Sequence, residues 1–232
     1  AGVTVSKDVT LAGQGDASTT ITGRAADSAF TVEDGATLTL VDLTVRGGAS
    51  SVGGAVDCSD AALVATDVTF AGNVAATGGA LHLVNCDGTL TDVDFDGNLA
   101  DNGGAMHVRG TGTFTYTGGT VVDNHAEANG SAFYVQPEGS FTLSNLLILA
   151  NTGGNGIYFQ NVDTSVATVQ HCDFVGNDDD GHGAIAVDGG SITLLHNIIM
   201  DNAGYGLDFD TDVKLNARHN NYYNNHLAAA SE

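Results

Sequence analysis

Residues 53–77 read GGAVDCSDAALVATDVTFAGNVAAT, and residues 78–102 read GGALHLVNCDGTLTDVDFDGNLADN. The two stretches are copies of one unit, because GGA plus an aliphatic residue and the box F-x-x-N both recur 25 residues later. Self-similarity at such a period is typical of solenoids and other repeat architectures. The sequence therefore predicts a repeat protein.

The same unit continues along the rest of the chain. The GGA box recurs as GGAM at 103, GSAF at 130, GNGI at 154, HGAI at 182 and GYGL at 204, and DSAF at 27 fits in the other direction. From residue 53 on, each box is followed by an apolar-x-x-N box that ends on an asparagine. These are Asn73, Asn98, Asn124, Asn151, Asn177, Asn202 and Asn225. We count about nine units of 22 to 28 residues, so that residues 1–232 form a single domain.

Composition and periodicity indicate short strands. The chain of 232 residues has 32 Gly, 1 Pro and no Trp, and no stretch has a sustained helical period. Short alternations of Val, Thr, Phe and Leu are bounded by Gly, Asn and Asp, as in strands and turns. A unit with three short strands cannot bury its apolar face alone and must stack on its neighbours. We predict an all-β fold, a single-stranded right-handed parallel β-helix (β-solenoid) with one unit per coil.

Three inward columns test this register, because strand residues alternate between the interior and the surface. The first column is Val45, Phe70, Phe95, Val121, Ile148, Phe174, Ile199 and Tyr222. The second is Leu40, Ala65, Leu90, Tyr116, Leu143, Val169, Leu194 and Ala217. The third, after the GGA box, is Phe30, Val56, Leu81, Met106, Phe133, Ile157, Ile185 and Leu207. All three columns are almost wholly apolar, as a shared interior requires.

The repeated motifs have an architectural explanation. The glycines of the GGA box supply positive φ and close approach at a corner. The aligned asparagines lie at another corner, where the side-chain amides of adjacent coils can form a hydrogen-bonded ladder. We therefore interpret both motifs as structural.

These motifs carry a family resemblance. GGA[VLM] followed by F-x-x-N resembles the repeat of the chlamydial polymorphic outer-membrane proteins and of related bacterial surface β-helix families, over nearly the whole chain. The resemblance implies a secreted or surface-displayed adhesin or structural stalk, extracellular or at the cell surface. The chain departs from the family in lacking a C-terminal transporter barrel, so its anchoring stays open.

The two chain ends and the net charge restrict which partners we expect. Ala1 begins directly in strand-like sequence, no apolar stretch of about 20 residues is present, and we expect a soluble chain without a transmembrane segment. Neither end carries a capping helix, which predicts end-to-end contact with more chain or with another subunit. The formal net charge of −22 repels phosphate backbones and anionic lipid, which argues against nucleic acid and membrane surfaces as partners.

The cysteines are too few for a disulfide scaffold. Cys172 falls in an inward column and is predicted to be a buried thiol. Cys58 and Cys86 lie in adjacent coils near one corner, where they either pair in an oxidising exterior or stay reduced.

An outward column after the GGA box is the first candidate binding surface. It contains Asp57, His82, His107, Tyr134, Tyr158, Ala186 and Asp208. Imidazole and phenol rings offer the faces and hydrogen bonds that sugars use, so His82, His107, Tyr134 and Tyr158 are candidates for contact with a glycan or a surface protein. The alternative is cross-coil packing that serves stability.

Two further outward columns are weaker candidates. Threonines at 39, 89, 115, 142, 168 and 193, with others two residues on, resemble the flat ice-facing array of β-solenoid antifreeze proteins, although Thr is also the ordinary choice for an exposed strand. His171, His196 and His219 follow one another at a corner and could share a divalent metal, although a turn position also accepts His.

Carboxylates near the C-terminal end predict calcium. Asp208, Asp210 and Asp212 have D-x-D-x-D spacing, and the preceding coil should bring Asp188 beside Asp210. The run 178–180, which is Asp178, Asp179 and Asp180, is a second candidate. The sequence predicts no other cofactor at this corner, and calcium is the candidate.

A carbohydrate-active enzyme is the alternative to a binding module, because β-helices also include pectin lyases and polygalacturonases. Residues 177–183, NDDDGHG, contain the letters of polygalacturonase motifs, but in one loop instead of separate coils. A lyase needs a Lys or Arg beside calcium, and only Arg218 approaches the acidic corner. The sequence favours a non-catalytic, adhesin-like or structural extracellular module; the alternatives are a self-assembling subunit and a polysaccharide lyase or hydrolase.

Overall fold

The structure, a computed structural model, describes residues 2–15, 18–177 and 182–225, and only the backbone of residues 163–166. Within these ranges short strands alternate with turns, and each circuit of the chain passes through three faces. The described part contains no helix with the length and hydropathy needed to cross a bilayer. The all-β prediction is confirmed.

Each face is a parallel ladder of strands. The first face contains Val3–Val5, Phe30–Val32, Val56–Ser59, Leu81–Val84, Met106–Gly110, Phe133–Pro137, the beginnings of Ile157–Gln170 and Gly183–Leu195, and Tyr205–Phe209. The second contains Val9–Ala12, the first halves of Thr37–Arg46 and Ala62–Ala71, Asp87–Thr91, Phe114–Thr117, Phe141–Ser144, the ends of Ile157–Gln170 and Gly183–Leu195, and Lys214–Arg218. The third contains Thr20–Thr22, the second halves of Thr37–Arg46 and Ala62–Ala71, Asp94–Asp96, Thr120–Val122, Leu147–Leu149, Asp173–Val175, Ile198–Met200 and Asn221–Tyr223.

The strands pair coil on coil in the predicted register. Phe70 pairs with Phe95, and their rings are stacked with centroids 5.3 Å apart. All three predicted inward columns follow the strand pairing. Their side chains are buried through most of the molecule, but Ala217 and Tyr222 are exposed, because the described residues place no further coil over them.

The predicted asparagine ladder is confirmed. From Asn73 to Asn202, each Nδ2 donates to the Oδ1 of the next asparagine of the ladder, at 2.8 to 3.2 Å. In each pair, the same Oδ1 also accepts a hydrogen bond from the backbone N–H of the asparagine whose Nδ2 donates to it. The second hydrogen of Nδ2 goes to a carbonyl of the preceding coil, as from Asn98 to Phe70. Buried amides are tolerated here because their donors and acceptors are used.

The glycine corner and the Asp/Asn/His corner both use left-handed backbone. Gly78 has φ +63°, and a Cβ on Gly79 would lie 2.1 Å from the carbonyl oxygen of Gly104, so both expected roles of the GGA box are found. The corner before the F-x-x-N strand has positive φ in every coil. Its residues are Asp42, Asp67, Asp92, Gly118, Asn145, His171, His196 and His219. Asp and Asn tolerate this conformation, which explains the composition of the column.

Four coils add a strand that the sequence did not predict. Ala49–Val52, Val74–Thr77, Leu99–Asn102 and His125–Asn129 form a separate parallel sheet between the asparagine corner and the glycine corner. In the next coil Asn151 is followed by Thr152 and then directly by Gly153 and Gly154, which leaves no room for a strand. The length of this segment decides whether the strand forms.

The cysteines divide as a bonded pair and a single thiol. Cys58 and Cys86 form a disulfide between adjacent coils, with Cα atoms 5.9 Å apart. Cys172 is buried, as predicted, and burial raises the pKa of its thiol to about 12. The disulfide therefore links two coils covalently, while Cys172 packs as a small apolar side chain.

Candidate functional site

The outward column of the first face forms a continuous stack of rings, which we call the aromatic stripe: His82, His107, Tyr134 and Tyr158. Strand pairing places each ring directly over the next. The ring centroids are 5.3, 4.8 and 5.6 Å apart in sequence order, and the last two pairs are nearly parallel. The structure thus brings the four predicted residues together.

The stacking changes how the stripe can contact a ligand. Each inner ring face is covered by the neighbouring ring, and His82 and His107 are 8% and 5% exposed. Vertical neighbours at one-coil spacing cover each other, so these two histidines leave little ring surface to a ligand, and glycan contact at His82 and His107 stays a prediction. Tyr134 and Tyr158 are half-buried and keep their hydroxyls at the surface.

Tyr158 is different because the next residue in the column is Ala186. Alanine carries no ring to cover Tyr158, so the far face of this phenol borders a cavity of about 220 Å³. Its other walls include Asn155, Val187, Asp188, Asp208, Phe209 and Asp210. We call it the acidic cavity. The stripe thus ends in a ring face surrounded by carboxylates.

A second outward column runs beside the stripe, which we call the polar column: Arg109, Gln136, Gln160 and Asp188. Gln136 Nε2 donates to Gln160 Oε1 at 2.7 Å, and the hydroxyl of Tyr134 donates to the same oxygen. The hydroxyl of Tyr158 donates to Asp188 at 3.1 Å. These bonds fix the orientations of the amides and hydroxyls of two coils and connect them to Asp188 in a third. Gln136 and Gln160 lie two residues after the tyrosines of the stripe in adjacent coils, and no motif in the sequence singled them out.

His82 and His107 anchor the other end of the stripe. His82 Nδ1 lies 2.8 Å from the carboxylate of Asp57. His107 Nε2 lies 3.1 Å from Gln136 Oε1, which only accepts, so Nε2 is the donor. Its Nδ1 has no partner among the described residues, and burial lowers the pKa of His107 to about 4. The neutral imidazole is therefore the stable form within the stack.

Desolvation and neighbouring carboxylates raise the pKa values of two groups in the acidic cavity. Desolvation and the neighbouring Asp188 raise the pKa of Tyr158 to about 12. Desolvation, followed by the charge and hydrogen bond of Asp188, raises the pKa of Asp210. Asp188 and Asp210 are therefore neighbours as predicted, and protonation of Asp210 relieves their repulsion.

The calcium prediction is only partly matched by this geometry. Asp188, Asp208 and Asp210 line the acidic cavity, whereas Asp212 does not. Across residues 2–15, 18–177 and 182–225, no three His, Cys, Asp or Glu side chains are grouped as metal ligands. The second candidate, Asp178 to Asp180, lies outside the described residues. Calcium binding stays a prediction.

The corner histidines form a stack of their own. His171 and His196 are 5.1 Å apart with planes at 2°, and His196 and His219 are 4.8 Å apart at 10°. Parallel rings direct their nitrogens side by side instead of toward a common point, and each residue has positive φ. The turn explanation accounts for this column.

The threonine array also has the predicted register. Thr89, Thr115, Thr142, Thr168 and Thr193 follow one another on the second face, interrupted earlier by Val64. Leu195 and Arg218 break the parallel file beside it. Ice binding stays a prediction.

A third feature lies where the first face turns into the second. A cavity of about 370 Å³ is lined by Val84, Asn85, Arg109, Gly110, Gln136, Glu138 and Asn161. We call it the mixed cavity, because it contains both a guanidinium and a carboxylate. It shares Arg109 and Gln136 with the polar column.

Comparison with known proteins agrees with the coil geometry. Residues 79–230 match the family described as right handed beta helix region. The chain belongs to this family. No curated protein and no solved structure matches the chain. The right-handed β-helix assignment made from the sequence is confirmed, and the family by itself names no ligand, because one fold carries many functions.

Proposed function

We propose that this β-helix is a non-catalytic module of a secreted or cell-surface protein, and that it binds a glycan along the aromatic stripe and the acidic cavity. The observation that carries the proposal is that Tyr158 has an alanine, Ala186, and not another ring beside it in the next coil, and that it lines a cavity together with Asp188 and Asp208. A phenol ring is a platform for the apolar face of a sugar, and carboxylates accept hydrogen bonds from its hydroxyls.

The two glutamines of the polar column, Gln136 and Gln160, extend this site along the axis. Gln136 and Gln160 already hydrogen-bond each other and Tyr134, so their orientation is fixed before a ligand arrives. Pre-organised groups lose little freedom on binding, which favours affinity. A chain molecule lying parallel to the β-helix axis would meet similar groups at each coil, about 4.8 Å apart.

An extracellular location is supported by two features. The Cys58–Cys86 disulfide is of the kind that persists in oxidising surroundings. The GGA[VLM] and F-x-x-N repeat resembles that of bacterial surface proteins of the polymorphic outer-membrane type. We infer that the module acts outside the cell, as an adhesin or as part of a stalk.

A glycan array with the purified chain tests the proposal. The decisive variant is Ala186→Phe, which adds a ring over the free face of Tyr158 and removes no polar group. We expect it to abolish glycan binding in a protein that still folds, although the larger side chain at this buried position lowers the melting temperature. Tyr223→Phe, at an exposed position on the third face, is the control. Wild-type binding that survives in Ala186→Phe, or no binding to any glycan, would refute the proposal.

A second candidate function rests on the carboxylate pair in the same cavity. Asp188 and Asp210 both line the acidic cavity, and desolvation together with the charge of Asp188 raises the pKa of Asp210, which favours its protonated form as a general acid requires. Arg218, the basic residue expected near this corner, donates to Asn216 and does not line the cavity. The pair therefore favours hydrolysis over proton abstraction by a basic residue. Release of reducing ends that is lost in Asp210→Asn, with binding retained, would identify a hydrolase.

A further inference from the structure

The mixed cavity is lined by one arginine, Arg109. Within the part of the chain that the structure describes, Arg109 has no carboxylate within ion-pair distance and no side-chain hydrogen bond, although Glu138 lines the same cavity. No Lys or Arg among the described residues forms an ion pair with a carboxylate, so Arg109 differs from the others by its place in a cavity beside the stripe. The guanidinium keeps five N–H donors available to a ligand.

Some of the neighbouring polar groups already form hydrogen bonds within the protein, and others are exposed and can contact a ligand. Asn85 donates to Asp60 and accepts the N–H of Thr111, and Gln136 is bonded within the polar column. Asn161 and Glu138 have exposed side chains that line the cavity. A ligand in the cavity would therefore meet one guanidinium, one carboxylate and one amide.

The mixed cavity is continuous with the proposed glycan site. Arg109 lies two residues after His107 on the same strand, close enough for its charge to contribute to the lowered pKa of that histidine. Gln136 belongs both to the polar column and to the cavity wall. One chain molecule can therefore contact the stripe and this cavity together.

We propose that the mixed cavity is a subsite for a carboxylate-bearing sugar unit, held by Arg109, within the glycan that the aromatic stripe binds. This inference rests on the proposed function. The planar fork of Arg109 matches the two oxygens of a carboxylate. Glu138 accepts hydrogen bonds from ring hydroxyls, and the amide of Asn161 can donate or accept.

The charge of the whole chain limits how acidic the glycan can be. A formal charge of −22 repels a polymer with a carboxylate on every unit, whereas a single carboxylate can be compensated by Arg109. The acidic cavity at the other end of the stripe adds to this repulsion. The ligand class is therefore a mostly neutral glycan with isolated acidic units.

The test uses matched pairs of glycans that differ by one carboxylate-bearing unit, on an array and then by calorimetry with the best pair. We expect the acidic member to bind at least about tenfold more tightly, the range of a hydrogen bond to a charged group. Arg109→Gln should remove this preference and leave binding of the neutral member unchanged. Arg46→Gln, an exposed arginine on the third face, is the matched control and should retain the preference.

The outcomes separate this inference from the function on which it rests. Equal binding of both members, unchanged in Arg109→Gln, would overturn the subsite while the glycan-binding function stands. Failure to bind any glycan would overturn both. Loss of neutral and acidic binding alike in a folded Arg109→Gln protein would also refute the assignment, because a carboxylate subsite acts only on the acidic member.

Discussion

The imidazole of His107 lies flat against the phenol of Tyr134, with 4.8 Å between ring centroids and 12° between ring planes. This contact, together with His82 on the other side, takes His107 out of water and lowers its pKa to about 4. The unfolded chain has the ordinary histidine pKa near 6.5. Folding is thus linked to proton release at this residue.

We expect stability to fall on acidification through this linkage. Between pH 6.5 and pH 4 the unfolded state binds the proton and the folded state does not, so stability is complete above pH 6.5 and is lost as the pH falls. From pH 7 to pH 5 the contribution of His107 is about 2 kcal/mol. Denaturant melts of wild type and His107→Gln at both values should differ by this amount in their pH dependence. An NMR titration with a midpoint near 6.5 would contradict it.

The asparagine ladder should depend on each member. In Asn124→Ala, Asn98 loses the acceptor of its Nδ2 and backbone N–H, and Asn151 loses a donor. Leaving buried groups unpaired costs about 1 to 3 kcal/mol each, so we expect a loss of at least 2 kcal/mol in unfolding free energy. Thermal and denaturant melts measure it. Asn216→Ala, exposed in the last described coil, should change stability by less than about 0.5 kcal/mol. Similar melts for both variants would show that the ladder adds little.

The disulfide should stabilise the fold through its loop. Cys58 and Cys86 are separated by 28 positions, and closing a loop of this size stabilises by about 3.5 kcal/mol in the chain-entropy model. We expect the melting temperature to fall by several degrees when the protein is unfolded and reduced before refolding. Under denaturing conditions one thiol should titrate without reductant and three with it. Three thiols without reductant would disprove the bond.

Close approach at the glycine corner gives a steric prediction. A Cβ on Gly79 would lie 2.1 Å from a backbone oxygen, whereas a Cβ on Gly72 would meet nothing within 4 Å. Gly79→Ala should therefore prevent folding or lower the melting temperature sharply. Gly72→Asn is the control, because Asn tolerates the φ of +58° found there. Circular dichroism melts of the two variants decide between them, and equal melts would exclude a steric role for the corner.

The fold was predictable because the motifs recur at a regular spacing. Once Phe70 and Phe95 are taken as vertical neighbours, the pairings within the three main faces follow from the spacing of the motifs, and the columns and the ladder need no further information. The same reasoning identified the aromatic stripe. A second, shorter ladder through Asn197 and Asn220 was missed, because it follows the corner histidines and has no conspicuous motif.

The candidate site was harder to predict because it depends on distances between side chains, and the strand register alone does not give these distances. The covered faces of His82 and His107 follow from ring stacking at one-coil spacing, which sequence letters do not show. The free face of Tyr158 is due to the small side chain of Ala186, a residue without functional chemistry of its own. Whether the thiols of Cys58 and Cys86 meet depends on where their turns point.

The vertical registry of the coils has a consequence for how this protein can change over time. Gain or loss of one whole unit would alter the length of the molecule by about 4.8 Å and leave the cross-section intact, whereas one extra residue within a strand would turn its apolar side chains outward. Duplication of the gene segment that encodes one unit can therefore produce β-helices of different length. The outward columns of side chains would lengthen in the same steps.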